Sequence, residues 1–436
     1  MGKSIQFIED FFKLKTYHTT IRTEIIAGIT TFLTMVYVIF VNPQILHQAG
    51  MPYHAVFLAT CLTTVVGCLC AGLIANFPSS IAPSMGLNAY FTYVIVLKMG
   101  LPWQTALGAV FISGVIFFVL TVFRIRRWII NAIPTSLGIA TTAGIGLFIG
   151  LIALKNAGII TGDSHTLVQL GNVHTASFVL CFLGFFLIVA FDHYKVTGAI
   201  VISILIVSLI ALLLGKTHYH GILSLPPSVA PTAFKFSFTD LFNKDGIIVI
   251  FTFLLVALFD SSGTLIGLVH EAKLPMNDPD TKQRVAQALM ADSLGTLAGS
   301  VLGTSTTANY IESTAGIRAG GRTGLTAVVI AILFGFAIFL SPLASMIPVF
   351  ATAPALLFIA SMMLKHMKHI DWDDLSEAIP AAITIIMIPF SFSIANGIGL
   401  GFISYLVIKV MTGKISQIKP GVALISAIFF LYFTLN

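Results

Sequence analysis

Long apolar runs, each near the length of a bilayer crossing, follow one another along the chain and are separated by short polar joints. They cover Ile25 to Leu46, Val56 to Ile74, Ala106 to Phe123, Ile133 to Leu154, Phe178 to Phe191 and Ile200 to Leu214. After a polar segment reaching Asp245 they resume as Ile247 to Leu268, Val285 to Leu302, Leu325 to Leu340, Met346 to Leu364, Ala378 to Phe390, Ile398 to Val410 and Val422 to Leu435. None shows strand alternation. Each is expected to be a helix, because a helix pairs every backbone N–H and C=O within one segment and about 20 residues complete a crossing.

Two stretches break the pattern. Phe77 to Phe91 holds Pro78, Pro83 and Gly86 in an apolar context and predicts an extended piece followed by a half-helix entered near Ser84. Gly303 to Gly316, reading Gly-Thr-Ser-Thr-Thr-Ala-Asn-Tyr-Ile-Glu-Ser-Thr-Ala-Gly, is too polar to cross lipid alone yet lies between apolar runs. It is expected at membrane depth, inside protein.

The order of elements repeats. A Phe-rich amphipathic element (Phe7 to Phe12, then Phe236 to Phe242), two spans, a broken segment, a further span and a basic turn occur from about 7 to 127 and again from about 236 to 322. Ile133-Pro134-Thr135 with its span resembles Ile347-Pro348-Val349 with its own. The expected fold is an all-α polytopic membrane protein of about fourteen spans in a seven-plus-seven repeat, with broken spans 3 and 10. An odd number of spans per half inverts the second half in the membrane. With a cytoplasmic N-terminus, only Lys98, Lys155, Lys216, Lys235 and Lys244 of the 23 Lys and Arg fall outside, a positive-inside distribution. The expected units are a cytoplasmic N-terminus with an interfacial element at 1–24, a first repeat at 25–215, an outside loop at 216–246, a second repeat at 247–412 and a C-terminal segment at 413–436. Val422 to Leu435 is a fifteenth, short run and reads as a peripheral or re-entrant helix.

Composition agrees: 57% of the 436 residues are hydrophobic and 9% charged, too little polar surface for a soluble chain of this size. The net charge of +6 is scattered over short loops without a basic tract, which speaks for membrane topology and against nucleic acid. Residues 1 to 24 are charged throughout, so no cleavable signal peptide is expected. Cys61, Cys68, Cys70 and Cys181 all fall in apolar runs and read as core.

Few acids lie within the spans. Asp260, in Phe259-Asp260-Ser261-Ser262-Gly263-Thr264, and Glu312, in the second broken segment, sit among small and hydroxylic residues that leave room for a ligand. A carboxylate in the bilayer interior costs several kcal/mol unless paired, hydrated or protonated, so each is a functional candidate and a candidate proton carrier. Asp292 reads either as a third such acid or as a brace for the neighbouring broken segment. Asn88, uncharged and able to donate and accept, is a candidate reader of a planar heterocycle or else a helix-to-helix bond. Thr30, Thr31 and Thr34 on the first span are candidate cavity residues. His270-Glu271 lacks the second histidine of a zinc motif. His366 and His369 fall in an expected cytoplasmic loop, and His218 and His220 in an outside one, so no metal site is expected. Arg318 to Gly324 lacks the strand and Gly-Lys ending of a phosphate loop.

Ala82-Pro83-Ser84-Met85-Gly86-Leu87-Asn88-Ala89-Tyr90-Phe91, Phe259 to Leu265, Thr304-Ser305-Thr306-Thr307 leading to Glu312-Ser313, Ala319 to Leu325 and Ile370-Asp371-Trp372-Asp373-Asp374 resemble the AzgA-like branch of the nucleobase-cation symporters, the adenine, guanine and hypoxanthine permeases. The resemblance spans essentially the whole chain. It implies a core domain (25–127 and 247–341), a gate domain (128–215 and 345–412), a homodimer, a plasma or inner membrane location, and import of purine nucleobases by proton symport without any other cofactor. The substrate contacts it implies are Asn88, Asp260 and Glu312. Thr307 and Ala308 are further expected contacts, with Ser84, Thr264, Asp292 and Thr30 in support and Glu312 or Asp260 as proton carrier. One departure stands out: Asp260 is followed by Ser261-Ser262-Gly263-Thr264, where the branch more often has Asp-Thr, then Val or Ile, then Gly-Thr. The alternatives are an anion transporter on the same architecture, which two acids disfavour, a uracil or xanthine permease, and an intramembrane enzyme, for which no nucleophile-base or metal constellation appears.

Overall fold

The computed structural model describes residues 2–123, 134–163, 165–275 and 278–435. Ile133 and the basic turn with Arg124, Arg126 and Arg127 lie outside them. Helix α1 (Gly2–Phe11) leaves Phe7 and Phe11 exposed, as an interfacial element would. The first span is α2 (Ile21–Met35) and α3 (Val38–Gln48). Thr20 caps α2 by accepting from Thr23 N–H, and the helix is interrupted at Val36 and Tyr37, ahead of Pro43. Then come α4 (Tyr53–Leu73), strand β1 (Ile81–Pro83), α5 (Met85–Ala89) continuing as a π-helix through Lys98, and α6 (Trp103–Val122). Helix α7 (Thr135–Asn156), the hairpin β2 (Ile160–Asp163) and β3 (Leu167–Leu170), α8 (Ala176–His193) and α9 (Ala199–Leu213) complete the first half.

The second half comprises α10 (Lys244–Glu271), α11 (Pro279–Leu302), β4 (Thr307–Asn309), α12 (Ser313–Arg318), α13 (Gly324–Ala337), α14 (Ser341–Met346), α15 (Val349–Leu364), α16 (Leu375–Phe390) and α17 (Ile394–Met411). Among the described residues, ten helical stretches are long and apolar enough to cross a membrane. The other expected spans are the two broken segments and the shorter helices α9 and α16.

Packing repeats with inversion. Helix α4 packs on α13 as α11 packs on α6, and α2 packs on α13 as α10 packs on α6. Helix α7 meets α16 as α15 meets α8, and α9 meets α15 as α17 meets α7. Three elements pack on their own counterparts in the other half: α4 on α11, α7 on α15 and β1 on β4.

The antiparallel pair β1 and β4 (Ile81 with Asn309, Ala82 with Ala308, Pro83 with Thr307) explains how non-helical backbone survives at membrane depth. Ser84 N–H donates to Thr306 O at 2.9 Å and Tyr310 N–H to Ser80 O at 3.0 Å, extending the pair at both ends. Thr307 N–H donates to Thr296 Oγ1 at 3.1 Å. Gly303, at φ +101°, ends α11 in a left-handed cap that turns the chain into β4.

One expectation changes. The chain from Phe236 to Phe242 is irregular and not a second amphipathic helix. It is held on α6: Ser237 N–H donates to Gln104 O at 2.8 Å, and the Phe236 ring stacks on Phe111 at 4.8 Å. The last run forms α18 (Pro420–Leu435), which packs on α17 through Ser426 Oγ donating to Phe402 O at 2.9 Å, and the buried Phe429 faces Phe251 of α10.

Candidate functional site

A cavity of about 380 Å³ opens where the broken segments meet α10 on one side and α7 with α15 on the other. Tyr37, Ser84, Met85, Gly86, Asp260 and Thr264 line it together with Ala308, Asn309, Tyr310 and Glu312. The facing wall is mostly apolar, with Ile139, Ile149, Ile359 and Met363, and adds Thr135, Thr142 and His366. A small apolar chamber with a few convergent polar groups is the usual form of a small-molecule site.

Both acids belong to the second half and are held by residues of the first. Ser84 Oγ donates to Asp260 Oδ2 at 2.9 Å, and Ser84 also precedes the first turn of α5. That turn's unpaired N–H groups carry the positive end of the helix dipole, and Met85 and Gly86 bring it to the cavity wall. Tyr37 OH donates to Glu312 Oε1 at 2.8 Å, and Glu312 immediately precedes α12. Tyr310 OH donates to Pro83 O at 2.5 Å, tying the second broken segment to the first. No Lys or Arg is among the described lining residues.

Asp260, Glu312, Ala308, Ser84 and Thr264 line the cavity. Asn88, Thr307, Asp292 and Thr30 stand elsewhere. Asn88 is fully buried one turn behind the cavity wall, where its Nδ2 donates to Asn42 Oδ1 at 2.5 Å. Asn42 in turn donates to Thr60 Oγ1 at 2.6 Å and Thr304 Oγ1 at 2.9 Å. Thr307 Oγ1 donates to Asp292 Oδ1 at 2.9 Å, and Ser261 Oγ donates to Asp292 Oδ2. Asp292 is thus the brace, fixing the strand β4 to α10 from behind. Thr30 Oγ1 donates to Ile26 O at 2.8 Å on its own helix, and Thr34 likewise bonds within α2.

Tyr37, Asn309 and Tyr310 also line the cavity, although nothing in the sequence singled them out. Asn309 and Tyr310 lie inside the polar stretch that drew attention to Glu312, so adjacency was the available signal. Tyr37 carries no polar neighbours in sequence. His366 reaches the cavity instead of standing in a remote loop, because a 3-10 turn (Lys365–His369) prolongs α15. Among the described residues, no group of three or more His, Cys, Asp and Glu is placed to hold a metal ion.

Comparison with known proteins agrees with this architecture. A family model described as "Permease family" matches residues 22–431. The adenine permease AdeP of Escherichia coli (strain K12) is 49% identical over 424 residues, covering 97% of this chain and 95% of that protein. The guanine/hypoxanthine permease PbuO of Bacillus subtilis (strain 168) is 42% identical over 428 residues, covering 96% and 99%. Among solved structures, the transmembrane domain of a cyanobacterium bicarbonate transporter, BicA, superposes with a TM-score of 0.65 at 15% identity, covering 86% of this chain and 96% of that one. At that identity the likeness is one of fold.

Proposed function

The chain belongs to the permease family, in its AzgA-like branch, and on that premise we propose that it imports purine nucleobases across the plasma or inner membrane by proton symport. The observation that carries the proposal is the pair of acids, Asp260 and Glu312, sharing one cavity without a lysine or arginine among its described lining residues. An anion site would be expected to carry fixed positive charge. A neutral purine offers N–H donors to carboxylates and ring-nitrogen or carbonyl acceptors to the N–H groups at the start of α5. The names of AdeP and PbuO, an adenine and a guanine/hypoxanthine permease, support the same substrate class.

In this reading the core domain, residues 25–127 and 247–341, holds the acids and both broken segments. The gate domain, 128–215 and 345–412, supplies the apolar wall, and the N-terminus is cytoplasmic. Substrate and proton bias the movement of core against gate, so that the cavity opens alternately to the two sides. One of the two carboxyls takes up the proton on the outside and releases it on the inside.

The test is uptake of radiolabelled adenine, hypoxanthine, guanine, uracil and sulfate by transport-deficient cells expressing the protein. Saturable accumulation of at least one purine, abolished by a protonophore, is expected. Sulfate uptake without purine uptake would replace the proposal with the anion reading.

A further inference from the structure

The cavity opens at one end of the helices that form it. Thr135 at the start of α7, Ile266 near the end of α10 and His366 just past α15 border its mouth, and all three are exposed. With a cytoplasmic N-terminus, these are the cytoplasmic ends of their spans. At the opposite ends, side chains of the first and third spans are bonded to the wall helices. Gln44, buried near the end of α3, donates through Nε2 to Ile347 O at 2.7 Å and accepts from Thr352 Oγ1 at 2.5 Å, so both ends of its amide are held at the start of α15. Asn156, the last residue of α7, donates through Nδ2 to Tyr93 OH at 2.6 Å, and that hydroxyl donates to Gln48 Oε1 at 3.0 Å, one turn beyond Gln44. Lys98 Nζ, at the end of the π-helix, donates to Ser391 O at 2.8 Å, just past α16.

We propose that Gln44, Tyr93 and Lys98 form an outer latch, which holds the cavity closed to the outside while it is open to the cytoplasm. The inference rests on the proposed core and gate domains and on the cytoplasmic N-terminus. The three side chains belong to the core and reach the outer ends of three gate helices, α7, α15 and α16. Admitting substrate from outside requires the core to part from those ends, which separates each donor from its acceptor. Water entering the opened path takes over the freed groups, so each bond biases the closed arrangement modestly and the latch can release. Strong apolar burial at the same place would hold the two domains together; polar contacts that water can replace suit a joint that opens in every transport cycle.

The experiment follows access to the cavity from each side. Thr142 of α7 lines the cavity, and Thr142→Cys is labelled with a membrane-impermeant maleimide in right-side-out and in inside-out membrane vesicles, at equal amounts of protein. With the latch intact, labelling should be fast in inside-out vesicles and slow in right-side-out ones. Adding Gln44→Ala, Tyr93→Phe or Lys98→Ala should each raise the right-side-out rate about 2- to 10-fold, the factor expected when one or two hydrogen bonds are taken from one of two states. Lys98 is exposed, so Lys98→Ala keeps the test open if a change at the buried Gln44 keeps the protein out of the membrane. The same variants with Thr142 retained carry the native cysteines, of which Cys61, Cys68 and Cys181 are buried. Their labelling should not change, and a parallel rise there would mean a loosened fold and overturn the inference. Fast inside labelling with the right-side-out rate unmoved in all three variants would overturn the latch alone. Labelling of Thr142→Cys in right-side-out vesicles and not in inside-out ones would remove the cytoplasmic N-terminus and the latch together. The reagent reads access and not transport, so none of these outcomes depends on the purine reading.

Discussion

Tyr37 OH donates to Glu312 Oε1 at 2.8 Å, joining residues 275 apart in sequence at the interruption between α2 and α3. The break in the first span thereby gains a reason: it sets a tyrosine beside the acid of the second broken segment. Removing the hydroxyl leaves Glu312 without that donor while keeping the ring. Tyr37→Phe should lower kcat/KM for purine uptake roughly 10-fold, the loss expected for one hydrogen bond to an ionisable group of about 1.5 kcal/mol or more. Unaltered kinetics at normal membrane levels would detach Tyr37 from the site.

The approach of α5 to α7 is set by a missing side chain. A Cβ on Gly86 would lie 2.5 Å from Ile145 Cγ2. Gly86→Val should force the first broken segment from the wall helix, reduce uptake at least several-fold and destabilise the protein by about 1–3 kcal/mol. Adding Ile145→Ala should restore part of both. Full transport by Gly86→Val alone would show that this contact does not shape the cavity.

The wall bundle has its own buried charge. Lys409 Nζ, on a side chain only 1% exposed, lies 2.7 Å from Glu377 Oε1 and donates to Gln417 Oε1 at 2.7 Å. Ser136 Oγ, next to the cavity residue Thr135, donates to Glu377 Oε2 at 2.5 Å. Lys409→Met should cost roughly 3 kcal/mol, the lower part of the range for breaking a buried pair, since Glu377 keeps some solvent contact. Lys409→Met with Glu377→Met should recover much of it. Melting of the purified variants in detergent decides this, and equal losses in the single and double variants would contradict it.

Outside the spans, Asp374 caps α16 and receives Lys414 Nζ at 2.7 Å; hydrogen bonds from Lys414 and then Ser376 hold its carboxyl well below its ordinary value of 3.8. A carboxyl lowered on folding stabilises the protein above its unfolded value, and that contribution fades as pH falls towards the folded one. Asp374→Asn should therefore melt slightly lower than wild type at pH 7, and the gap should narrow as pH drops through 4 and below. A gap independent of pH would mean that the charge contributes nothing.

The membrane class, the inverted repeat and both broken segments were legible because Pro78, Pro83 and Gly303 interrupt otherwise uniform apolar runs. Asp260 and Glu312 stood out as well, as rare charges in long apolar surroundings, and both line the cavity. Rotation about a helix axis was not legible. Asn88 lies one turn from Ser84, and nothing in the chain says which of the two faces the cavity. Strands of three residues carry no readable alternation, so the pairing of β1 with β4 emerged only in three dimensions. Tyr37 looks in sequence like any aromatic core residue, and Asp292 differs from Asp260 only in which neighbours turn towards it.

The central claim is that a purine sits between Asp260 and Glu312. Equilibrium binding of a radiolabelled purine to the purified protein tests it most directly, with wild type beside Asp260→Asn and Glu312→Gln and with unlabelled purines, uracil and sulfate as competitors. Saturable binding that unlabelled purine displaces and sulfate does not, reduced at least 10-fold in both variants, is the predicted result. Absence of purine binding by the folded wild type, or full binding by both variants, would contradict the account.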